Sequence, residues 1–101
     1  MTNIERIEDM ESILDESLSL IDDMKRLSAR LNDHAARLEK LTEYYYSEER
    51  NMDLEDDEEN LLPADLKRGV LSEDGIWNML EDYRDAALDM MDAGLKIIRN
   101  N

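Results

Sequence analysis

The chain has no cysteine and no phenylalanine, and only one proline, three glycines and one histidine among its 101 residues. Without cysteine there can be neither a disulfide framework nor a thiolate metal site, and the lack fits a reducing compartment. A single histidine, His34, leaves nucleophilic triads and imidazole-rich metal centres without partners. No apolar run approaches the roughly 18 residues that a membrane span needs. The opening Met1-Thr2-Asn3-Ile4-Glu5-Arg6 lacks the basic-then-apolar pattern of an export signal. These absences together lead to the expectation of a cytoplasmic protein. Proline and glycine are both missing before Pro63, so the first half of the chain has none of the strong helix breakers.

Carboxylates are what the chain has in plenty. Aspartate and glutamate number 27 against 12 lysines and arginines, for a net charge of −15. The excess is uneven: residues 47–60 hold eight carboxylates and one cation, Arg50. Such a field repels nucleic acid and anionic membrane and attracts basic partners. Hydrophobic residues still make up 42% of the chain, too many for a disordered acidic tail. A single folded domain over residues 1–101 is expected.

Periodicity identifies the elements. Thr2 and Glu5 have capping-box spacing, and a helix over about residues 3–47 follows. Its apolar residues Met10, Ile13, Leu20, Met24, Leu27, Leu31, Leu38, Leu41 and Tyr45 recur at alternating steps of three and four. Ser17 and His34 fill the two remaining places of that register. Ile7, Leu14 and Ile21 make a second row, so the face is broad as far as Leu27 and narrow beyond it. Asn32-Asp33 could cap a second helix and divide this one, and continuity there is left open.

Residues 48–60 form a short acidic helix or loop behind Ser47. Residues 61–72 form a connector in which Pro63 starts a turn and Gly69 ends it in a left-handed conformation. Ser72 then caps a last helix over residues 73–99, with Leu71 and Ile76 at hydrophobic-staple positions. Its main apolar row is Ile76, Leu80, Tyr83, Ala87, Met90, Gly94 and Ile97, and the small Ala87 and Gly94 favour close helix approach. The fold expected is all-α, an antiparallel helical hairpin or three-helix bundle with a long N-terminal helix, alone or as a homodimer. In it the N-terminal stripe as far as Leu27 would pack on the last helix.

The run Pro63-Ala64-Asp65-Leu66-Lys67-Arg68-Gly69-Val70-Leu71-Ser72-Glu73-Asp74-Gly75-Ile76-Trp77 resembles a bacterial family of small helical proteins, domain of unknown function 4298. Tyr44-Tyr45-Tyr46-Ser47-Glu48-Glu49 and the acidic stretch resemble it too, so the likeness covers most of the chain. Where that family often carries tryptophan this chain has Arg50, which weakens an aromatic docking site there. The resemblance implies a bacterial helical protein and assigns no chemistry.

The residues that carry chemistry elsewhere do not assemble a centre here. A di-iron bundle needs Glu-x-x-His on two helices, and Leu31 stands three before His34. A calcium loop starting at Asp53 would put Glu55 and Asp57 at its third and fifth places. It then puts Glu58 where the turn needs glycine, and Ala64 where a bidentate glutamate belongs. Glu55 with Glu58, and Asp85 with Asp89 and Asp92, share helix faces as magnesium ligands would. No basic cluster converges on them to hold phosphates. No catalytic residue, metal or cofactor is therefore assigned.

The function expected is a non-enzymatic acidic module that binds another protein, with a basic protein as the natural partner. Its candidate contacts are Tyr44, Tyr46 and Trp77 at an aromatic corner, Glu55, Asp56, Asp57, Glu58 and Glu59 on the acidic stretch, and Lys67-Arg68 on the connector. The alternative is a nucleic-acid mimic that sets carboxylates into the basic cleft of a DNA-binding protein. A metal-dependent nucleotide hydrolase stands third. Direct binding to nucleic acid or membrane is not expected.

Overall fold

The computed structural model describes residues 2–100. Its three α-helices are α1 (Asn3–Tyr45), α2 (Glu48–Glu58) and α3 (Gly75–Arg99), with a 3-10 turn at Gly69–Leu71 before the last. The described residues contain no strand. The fold is therefore all-α, led by a long N-terminal helix. It divides into two compact units, Met1–Glu39 and Lys40–Asn101, and α1 contributes to both.

The first unit is helix throughout its described length beyond Thr2. The Glu5 N–H donates to Thr2 Oγ1 at 3.2 Å, closing one half of the capping box. Asn32 and Asp33 do not interrupt the helix. Neither residue is proline or glycine, and continuing the backbone ladder costs less than breaking it. The expected burial of the apolar stripe is not found. Large apolar residues from Ile4 to Leu27 are 41–65% exposed, and α1 buries no residue. A helix satisfies its own backbone from turn to turn, so it can be complete while its apolar face is uncovered.

The second unit is built from caps. Ser47 Oγ donates to the Tyr44 carbonyl at 2.6 Å and accepts the Arg50 N–H at 3.2 Å. One hydroxyl thus closes α1 and opens α2, and this ends the first helix at Tyr45 rather than Ser47. At the far end of α2, Asn60 adopts φ 58°. The Leu61 N–H reaches the Asp56 carbonyl at 2.9 Å and the Asn60 N–H reaches Asp57 at 3.1 Å. This is a Schellman stop, with asparagine supplying the left-handed residue that glycine usually provides.

Gly69 does not supply the left-handed residue expected of it, since no glycine has positive φ. It opens the 3-10 turn instead, and the Ser72 N–H donates back to its carbonyl at 3.3 Å. The last helix also begins later than Ser72. Ser72, Glu73 and Asp74 form a bend, and Ser72 Oγ accepts the N–H of Gly75 at 3.0 Å. The serine still satisfies a free donor at the helix start, from outside the helix. Ile76 is 3% exposed and is the one buried hydrophobic residue among those described, while Leu71 is half-buried. The close approach expected at Gly94 is not made, because a Cβ there would meet nothing within 4 Å.

Candidate functional site

Five residues of the second unit form a polar corner. Tyr44 on α1 donates its hydroxyl to Asp53 Oδ2 on α2 at 2.6 Å. Tyr45 and Tyr46 meet edge to face, with centroids 4.9 Å apart and planes at 75°. Consecutive helical residues diverge by about 100°, and the contact forms where α1 has ended and the chain turns. Arg50 then sits with its guanidinium carbon 4.9 Å from the Tyr45 ring centroid. From there it reaches the 3-10 turn, donating Nε–H to the Val70 carbonyl at 3.1 Å and an Nη2 hydrogen to the Ser72 carbonyl at 3.2 Å. One cation thus joins the end of α1, α2 and the connector.

Tyr44 bears the electrostatic consequence. Burial and the Asp53 carboxylate that accepts its hydrogen push its hydroxyl up to about 12. A raised folded-state value means that folding favours the protonated form. Its contribution to stability is therefore full below about pH 10, the ordinary tyrosine value, and is lost as pH climbs toward 12. Tyr44→Phe should cost about 1 kcal/mol at neutral pH, the usual net worth of such a bond. Melting of wild type and variant followed from pH 9 to 12 should converge as the hydroxyl ionises. A constant difference across that range would show that the cost of Tyr44→Phe does not come from the hydroxyl's bond to Asp53.

The sequence-predicted contacts take separate places. Tyr44 is turned to Asp53, whereas Tyr46 is 72% exposed and Trp77 is 47% exposed. Glu55, Glu58 and Glu59 are exposed, and Asp56 and Asp57 are half-buried. Arg68 Nε lies 3.1 Å from Asp57 Oδ1, an ion pair not aligned as a hydrogen bond. Its Nη2 donates to the Pro63 carbonyl at 2.5 Å. Arg68 is thereby engaged inside the fold, screening one carboxylate of α2.

Lys67 lines an open groove of about 490 Å³ together with Leu41, Gly69, Val70, Ser72, Gly75, Ile76 and Met79. Sequence reasoning anticipated the connector but not this concavity, to which α1, the turn and α3 all contribute. It also missed Arg50 and Asp53 as corner residues. A lone cation among eight carboxylates was the available signal for Arg50. Among the described residues no three histidine, cysteine, aspartate or glutamate side chains are grouped to hold a metal ion. Nor is any helix among the described residues long and apolar enough to cross a membrane.

Fold and corner define a class: an acidic three-helix protein whose second unit is organised by caps and one arginine. The model of the family described as Domain of unknown function (DUF4298) matches residues 7–93, and the chain belongs to that family. No curated protein and no solved structure gives a match.

Proposed function

We propose that the chain is a non-enzymatic protein-interaction module of the bacterial cytoplasm, and that its groove receives an apolar side chain of a basic partner. The observation that carries the reading is the groove bordered by Val70, Ile76 and Met79. Arg50 fastens α2 to the carbonyls of two groove-lining residues. The carboxylates of α2 are thereby held beside an apolar recess. An apolar recess supplies affinity, and an adjacent field of one sign supplies partner choice and association rate. The lack of cysteine supports a reducing compartment.

The test uses random displayed peptides with the whole chain as bait. Selected sequences should carry one large apolar residue flanked by lysine or arginine. Val70→Glu should abolish their binding, because it buries a charge in the recess. Converting Glu55, Asp56, Asp57, Glu58 and Glu59 to amides should slow association and reduce salt sensitivity while leaving the fold intact. Like charges three and four apart repel by a few tenths of a kcal/mol per pair, so that variant should also melt slightly higher. Selected peptides without cations, or binding indifferent to Val70→Glu, would overturn the proposal.

A further inference from the structure

The first unit presents a pattern of its own. Ser17, Leu20, Met24, Leu27, Leu31 and His34 recur at alternating steps of three and four, the seam of a two-stranded coiled coil. Leu20 and Met24 are 53% exposed and Leu27 is 41% exposed. Charge is divided along the same helix. Residues 3–23 hold eight carboxylates against Arg6, and residues 24–40 hold five cations against Asp33 and Glu39. A helix that is acidic at one end and basic at the other complements itself when reversed.

We infer that residues 17–34 of α1 pair antiparallel with the same residues of a second copy of this chain. With the two-fold axis between Met24 and Leu27, each Met24 faces Leu27 of the second copy and each Leu20 faces Leu31. Ser17 then faces His34, so the two polar interruptions of the seam meet each other instead of apolar residues. Ser17 Oγ already donates to the Ile13 carbonyl at 2.8 Å, which leaves it an acceptor for an imidazole N–H.

Both edges of the seam agree with this register. On one edge Glu16 faces Arg37 and Asp23 faces Arg30, giving four opposite-charge pairs across the two-fold axis; all four residues are exposed. On the other edge the large Leu14 and Ile21 face the small Ala35 and Ser28. A parallel pair would set Glu16 against Ile21, Asp23 against Ser28 and Arg30 against Ala35, with no charge partner for any of them. Two-fold pairing also closes on itself and buries the seam over residues 17–34 without leading to a filament. The paired segment shares no residue with the groove, so it stands or falls independently of the function proposed above.

Two charge variants test the register. In the first, Glu16→Arg with Asp23→Arg makes the edge wholly basic; in the second, Arg30→Glu with Arg37→Glu makes it wholly acidic. Sedimentation equilibrium should show the wild type as a dimer and each variant weakened by on the order of a hundredfold, because four exposed pairs turn from attraction to repulsion. An equimolar mixture of the variants should associate again as a heterodimer, and so should a single chain carrying all four substitutions. Helicity by circular dichroism separates loss of pairing from loss of helix. A wild type that stays monomeric, variants that dimerise like the wild type, or a mixture that does not recover would each overturn the inference.

Discussion

Arg50→Ala is expected to lower stability by about 2–3 kcal/mol, although Arg50 lies in a stretch whose net charge suggests a solvated face. The loss has three sources. The Val70 and Ser72 carbonyls each lose a charged donor, at 3.1 and 3.2 Å. The Tyr45 ring loses the guanidinium stacked 4.9 Å from its centre. The eight carboxylates of residues 47–60 lose the one cation within their own stretch. Partial exposure of these bonds keeps the figure below what a buried guanidinium would cost. Arg50→Lys should recover little, because an ammonium cannot reach two carbonyls in a planar fork while stacking on a ring. Fluorescence of Trp77, the only tryptophan, reports unfolding of the second unit directly. Equal denaturation midpoints for Arg50→Ala and wild type would show that the corner does not depend on this residue.

Glycine substitutions should separate in sign by position. At Gly75 an added Cβ would collide with the Gly69 carbonyl oxygen and with Ser72 Oγ. The first is backbone in the 3-10 turn, and the second is held by its bonds to Gly69 and Gly75. Neither can retreat cheaply. Gly75→Ala should therefore destabilise by about 2–3 kcal/mol, in the range of overpacking, and should raise amide exchange through residues 69–78. Gly94 is the contrast. It lies inside α3 with open space where its side chain would go, so Gly94→Ala should stabilise by about 1 kcal/mol through helix propensity. Gly69 has equally open space and no positive φ, so Gly69→Ala should be tolerated. A melting temperature of Gly75→Ala equal to or above that of the wild type would show that the close approach at Gly75 is wrong.

Local chemistry made the helices legible. Unbroken periodicity and the lack of proline and glycine before Pro63 gave α1 to within two residues at its far end. Ser47 gave the start of α2. Bonds between residues three or four apart decide such features, so the chain sequence contains both partners. The same nearness explains the errors. Residue type points to Ser72 as the cap of α3, and its hydroxyl does accept a helix-starting N–H, but a bend carries the helix start to Gly75. Gly69 and Gly75 were both visible, yet which of them had to be glycine depends on where the Gly69 carbonyl lies. Asparagine marks a left-handed residue less often than glycine does, so residue type alone does not reveal the stop at Asn60.

By itself the sequence determined an acidic, all-α chain with a long N-terminal helix and a C-terminal helix, and left the acidic stretch between them as helix or loop. Composition and short-range periodicity suffice for that, since helix formation depends on neighbours within one turn. Only the tertiary structure decided that Tyr44 faces Asp53, that Arg50 binds the connector, and that Lys67 lines a groove while Arg68 pairs with Asp57. Arg50 and its two carbonyl partners are separated by twenty and twenty-two residues. No periodicity encodes a bond across such a gap. It depends on how the Ser47 cap and the Asn60 stop aim the chain between them, and that direction exists only once both turns have formed.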